Sequence, residues 1–220
     1  RRRDDAVDVL LERFHALTFI IYGLADYIVG EYADAEDGFG QALKIAAWDN
    51  TEVIYVMLGN AALKQKLFGD AEEYYRLALE KNDKYSRAYV GWGSALYGKA
   101  QDNGEATDYS KIDRELLNQS IDTYQRALEP GMDRPPLADV EAKANLGLGQ
   151  VHLLRALVEV QAAQLDAAQQ DWKDAEQGFR RVISAYADGE NQRLQEHAAH
   201  AHARLGLIFR FTGQFSQAIA

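Results

Sequence analysis

The sequence predicts an all-α protein built from repeated helix-turn-helix pairs, and three observations predict it. A glycine preceded by a bulky residue recurs as Tyr22-Gly23, Leu58-Gly59, Trp92-Gly93, Leu148-Gly149 and Leu205-Gly206. Downstream of the first four stand a small residue, an aromatic four later, and a small or β-branched residue three after that. These sets are Ala35, Phe39, Ala42; Ala71, Tyr75, Ala78; Ser120, Tyr124, Ala127; and Ala175, Phe179, Val182. The composition also favours helices: three prolines among 220 residues, 47% hydrophobic side chains, and abundant residues that lose little rotamer freedom in a helix.

In chain order, a leading helix is expected over residues 5–15, then repeats over about 16–50, 51–85, 86–130, 138–188 and 191–220, all one array. Steps of four and three place the recurring residues on one helical stripe, and its small members admit a neighbouring helix closely. The glycine on the preceding helix provides the matching gap, at a propensity cost of about 1 kcal/mol that packing must offset. Gly30-Glu31-Tyr32, Phe68-Gly69-Asp70 and Thr212-Gly213-Gln214 read as the turns within pairs. One pair cannot bury its own stripe, so such units stack.

Repeat two carries the fullest pattern: Tyr-Val-Met-Leu-Gly-Asn-Ala-Ala-Leu-Lys-Gln, then Asp-Ala-Glu-Glu-Tyr-Tyr-Arg-Leu-Ala-Leu-Glu, with Asp83 where proline is common. It resembles the tetratricopeptide repeat (TPR) family, and the pattern extends over about residues 16 to 220. The resemblance implies a right-handed α-solenoid whose concave surface is lined by the first helix of each pair. Carrying those positions over gives a partner-binding groove of Leu24, Tyr27, Asn60, Leu63, Lys64, Arg87, Ser94 and Tyr97. Asn60 can bond a peptide backbone in both directions, and Lys64 and Arg87 can meet a carboxylate. Some relatives clamp a carboxylate tail with Lys, Asn and Arg on successive first helices. Sliding that pattern along this chain fails in every frame.

Two repeats depart from the spacing. Glycine and small residue are 12 apart in repeats one, two and five, but 27 apart in repeat three (Gly93 to Ser120) and 26 in repeat four (Gly149 to Ala175). Elongated helices are therefore expected in both. In repeat four, apolar residues continue through 168, 172, 175, 179, 182 and 186. The reversal is expected near Gln164 to Asp166, with Asp166 as an N-cap. In repeat three, residues 101–107 read as a loop, and the second helix begins early, with Ile112, Leu116, Leu117, Ile121 and Tyr124 on one face. The two extensions should cover one another as a spur.

Chemistry is sparse. With no cysteine there is no disulfide, thiolate nucleophile or cysteine zinc site. A net charge of −10 repels nucleic acid phosphate. The apolar run from Leu17 to Gly30 is too short to span a bilayer and contains Asp26. His197 and His200 share a helix face near Glu196, but His202 lies off it and no fourth ligand follows, so an exposed polar face is expected there. Gly147-Leu148-Gly149 lacks the strand and third glycine of a nucleotide-binding turn and reads as helix packing. Asp102-Asn103-Gly104 lacks the alternating ligands of a calcium loop.

The expectation is a protein–protein interaction scaffold, not an enzyme, that forms the repeat region of a larger protein. It should need no cofactor, metal or nucleic acid, should not itself insert in a membrane, and is expected in the cytoplasm, the alternative being that Arg1-Arg2-Arg3 follows an upstream membrane segment of the parent protein. The alternative is a ligand- or metal-sensing accessory module of an enzyme complex. The last first helix shows Leu205, Leu207, Ile208, Phe209 and Phe211 with little to cover them. Self-association through this truncated repeat, or fraying from Ala199, is therefore expected.

Overall fold

The computed structural model describes residues 2–45, 50–102, 108–132, 138–187 and 190–213, with side chains from Val7 onward. Ala218, the turn residue Gln214 and most of the loop expected at 101–107 lie outside the described residues. The described chain contains no strand and nine α-helices: α1 (Arg2–Val29), α2 (Tyr32–Lys44), α3 (Thr51–Lys64), α4 (Phe68–Lys81), α5 (Ser86–Gln101), α6 (Arg114–Ala127), α7 (Ala138–Gln161), α8 (Leu165–Tyr186) and α9 (Gln192–Phe211). A 3₁₀ turn, Tyr109–Lys111, precedes α6. Residues 1–95 and 96–220 form two compact units.

In the first unit, consecutive helices pack in sequence, α1 on α2, α2 on α3 and α3 on α4. The leading segment and the first helix of repeat one are a single continuous helix, α1. The stripes read from the sequence are the buried ones: Ala35, Phe39 and Ala42 pack with Ile20, Ile54 and Leu58, and Ala71, Tyr75 and Ala78 pack with Val56, Ala62 and Ala88. The recurring glycines serve close approach. A Cβ on Gly59 would stand 2.7 Å from the Tyr75 ring and one on Gly23 2.8 Å from the Phe39 ring, while Gly91 lies still tighter on the other side of Tyr75. Tyr75 is thus clasped between the glycines of α3 and α5, a fit no larger residue could enter without displacing the ring.

The helix pairs turn by one shared device. Gly30, Lys66 and Ala163 take left-handed backbone (φ 97°, 62° and 58°). In each case the next N–H reaches back five residues: Glu31 to the Asp26 carbonyl, Leu67 to Ala62, and Gln164 to Glu159. These bonds satisfy carbonyls that a helix end would leave without partners. Only the first of these positions is a glycine. Phe68-Gly69-Asp70, read as a turn, instead opens α4; the reversal falls two residues earlier because Lys66 accepts the strained conformation.

In the second unit α7 packs on α6, α8 and α9, and α8 packs on α9. Both helices of repeat four are long, 24 residues in α7 and 22 in α8. Their turn falls at 162–164, and Gln164 is the N-cap, so Asp166 lies within the first turn of α8 rather than capping it. In repeat three, α6 has the ordinary length of 14 residues, and the early start is the 3₁₀ turn. The two segments are separated because Asp108 and Asp113 each cap the N–H groups that follow them, breaking one long helix into two. The 3₁₀ turn packs on α7, and Arg114 Nη1 donates to Gln164 Oε1 at 3.0 Å, so the two extensions cover one another. The apolar face of α9 is less bare than its sequence suggests. Leu205, Ile208 and Phe209 are buried with Phe179 and Val182 of α8, and Phe211 alone among the large apolar residues of α9 stands well exposed.

Candidate functional site

The groove positions sit one, four or five residues after each recurring glycine, or early in α5. Leu24, Lys64 and Arg87 are exposed, and Tyr27, Asn60, Leu63 and Ser94 are half-buried. Tyr75 Oη donates to Asn60 Oδ1 at 2.9 Å. The bond uses one of the two lone pairs of Oδ1, so it fixes the orientation of the amide while Nδ2 stays available as a donor. Leu63 and Tyr27 lean on the core beneath them. Ser94 Oγ donates to the Val90 carbonyl at 2.9 Å. Lys64 and Arg87 make no ion pair among the described residues. Tyr97 lies in the second unit, where burial pushes its hydroxyl above its ordinary pKa against the opposing charge of Arg204.

A second cluster, not singled out in the sequence, joins the long helices. Asp171 of α8 is 2% exposed. Arg155 of α7 grips both its oxygens, Nε to Oδ2 at 2.6 Å and Nη2 to Oδ1 at 2.5 Å. His152 Nδ1 lies 2.8 Å from Oδ1 and donates to it, since an ionised carboxylate can only accept. Arg155 Nη1 also reaches Asn118 Oδ1 of α6 at 2.7 Å. Burial alone would raise the Asp171 carboxyl, but the bonds from His152 and Arg155 and the guanidinium charge outweigh it and hold it below the usual range. Burial, then the Asp171 charge, pushes Glu159 the other way.

His152, Asp171 and Asp174 offer ligand atoms within 4.8 Å of one another, the geometry of a partial cation site. The guanidinium already engages both oxygens of Asp171, and a divalent cation would have to lie against that positive charge, which disfavours a metal there. The exposed polar face expected at the histidines holds for His200 and His202 but not for His197, which is largely covered against Asp139 of α7. His197 Nε2 lies 3.0 Å from Asp139 Oδ1, which also meets Arg193 at 3.1 Å, and His200 and His202 are exposed. The Asp171 cluster had one sequence signal: Asp171 falls three residues after Ala168 and four before Ala175, a charge set into the packed stripe.

Paired helices clasped through glycine and aromatic residues define a helical-repeat protein. No protein-family model matches the sequence, and no curated protein matches it. Among solved structures, TTC0263, a thermophilic TPR protein of Thermus thermophilus, is similar over 92% of this chain and 86% of that one, at 20% identity and a TM-score of 0.51. A MamA protein is similar over 93% and 86%, at 17% identity and a TM-score of 0.50. A second MamA crystal structure aligns over 90% and 88%, at 18% identity and 0.48. The fold is that of tetratricopeptide repeat proteins. No described helix is long and apolar enough to cross a membrane.

Proposed function

We propose that the chain is a protein-binding scaffold whose first-helix face takes an extended peptide bearing a carboxylate between apolar side chains. The observation that carries this reading is the Tyr75–Asn60 hydrogen bond, which presents an amide donor on α3 beside the exposed Lys64, with the exposed Arg87 on α5. An oriented amide donor suits a backbone carbonyl, and the two cations suit a carboxylate. Leu24, Tyr27 and Leu63 offer apolar contact along the same face. The net charge of −10 favours a peptide that is otherwise neutral or basic. The sensing alternative draws less support, because Arg155 already holds the carboxylate that a metal ion would need.

The test is selection of peptides from a random display library on the 220-residue chain, followed by titration of the best peptide against Asn60→Ala and Arg87→Glu variants. A loss of roughly tenfold or more in affinity, about 1.4 kcal/mol, is expected for Arg87→Glu. Unchanged affinity in both variants would move the binding surface off this face.

A further inference from the structure

α1 exposes an apolar seam that overlaps the peptide-binding face at Leu24, and we propose that it pairs with α1 of a second copy of this chain as a parallel two-stranded coiled coil. From Leu10 onward, Phe14, Leu17, Ile21, Leu24 and Ile28 follow one another in steps of four and three, and all are 38–81% exposed. Val7, also exposed, precedes them by three residues. Alternate members form the two core positions of a heptad. One set is Val7, Phe14, Ile21 and Ile28, three of the four β-branched; the other is Leu10, Leu17 and Leu24, all leucine. β-Branched residues at the first core position with leucine at the second is the combination that favours two parallel strands over higher assemblies.

The rest of α1 leaves that seam open. Ala16, Ile20, Gly23 and Tyr27 face α2, where Ile20 packs with Phe39 and the Phe39 ring lies on Gly23. In heptad terms α2 takes one flank, and the core positions and the opposite flank remain uncovered. That open flank is Leu11, Thr18 and Ala25, uncharged throughout, so two copies meet there without like-charge repulsion. With Leu11, the fractional exposures of the seam residues amount to roughly 800 Å², an upper bound on what each copy can bury and of the order each partner contributes to a stable interface. Leu24, one of the groove positions, becomes part of this dimer contact.

Sedimentation equilibrium of the 220-residue chain, from micromolar to submillimolar, tests the proposal. Twice the 24.6 kDa chain mass is expected at the upper concentrations. Leu10→Lys with Leu17→Lys is expected to return the monomer mass with an unchanged helical circular dichroism signal. The native chain has no cysteine, so an Ile28→Cys variant reports strand direction cleanly. Parallel strands oppose the two introduced thiols and cross-link on oxidation. An antiparallel pair centred on the seam would hold them roughly 30 Å apart at about 1.5 Å per residue, far beyond disulfide reach. Monomer mass at all concentrations, or a dimer that survives the double lysine variant, overturns the proposal. A lysine-sensitive dimer that fails to cross-link overturns the parallel arrangement.

Discussion

Arg155 on α7 holds both oxygens of Asp171 on α8, an ion pair inside the longest helix pair of the described chain. Its geometry is bidentate, and Asp171 has almost no solvent to fall back on. Removing Arg155 leaves the buried Asp171 with only the bond from His152 among the described residues. Arg155→Ala is expected to lower stability by about 3–5 kcal/mol in urea unfolding. Replacing both partners with apolar residues of similar size should restore much of that loss, since the pair itself contributes little once desolvation is counted.

The same carboxyl carries an acid dependence. Its folded pKa lies below the ordinary value of about 3.9, so its contribution is fully present above that value and is lost as pH falls through the folded value. Thermal melts of the native chain and Asp171→Asn, followed from about pH 6 downward, are expected to converge on approaching that range. Curves that stay parallel would remove Asp171 from the account.

An opposite dependence is expected in alkali. Tyr74 donates to Glu36 and Tyr186 to Glu141, and burial followed by these carboxylates raises both hydroxyls to about 12. A raised pKa contributes stability that is complete below the unfolded value of about 10 and is lost as pH rises through the folded value. Melting temperature should therefore fall between these limits, and the combined Tyr74→Phe and Tyr186→Phe variant should show a shallower fall.

Two glycine substitutions should act in opposite directions. Gly91 abuts the Tyr75 ring, so Gly91→Ala is expected to destabilise by about 1–3 kcal/mol through overpacking. Gly40 lies inside α2 with nothing within 4 Å of its absent Cβ, and Gly40→Ala should stabilise by about 0.5–1 kcal/mol. Chemical denaturation of the two variants side by side checks both signs.

Trp172 packs against the core of Phe179 and Phe209, but its indole N–H is buried with no acceptor among the described residues. Trp172→Ala is expected to destabilise by about 3 kcal/mol. Trp172→Phe keeps most of the ring contact and removes the orphaned donor, so it should come close to neutral. A phenylalanine variant as unstable as the alanine one would show that the N–H has a partner after all.

The repeat was legible in the sequence because its signals are local. Gly59 and Tyr75, or Gly149 and Phe179, belong to a recurring pattern, and periods of three and four residues make a helical stripe wherever they occur. The length of α7 and α8 followed for the same reason: the apolar spacing continues without interruption. Tertiary structure decided what spacing does not encode. The turns fall at Lys66 and Ala163, residues with no glycine signature, because the end of a helix must bond its free carbonyls whatever residue stands there. His152, Arg155 and Asp171 meet only because that second turn sets the register between two antiparallel helices. The orientation of the Asn60 amide is likewise set across helices, because Tyr75, seated between two glycines, places its hydroxyl on the amide oxygen. Local periodicity determines which elements form and which faces they bury; polar partnerships depend on register, which only the packed chain supplies.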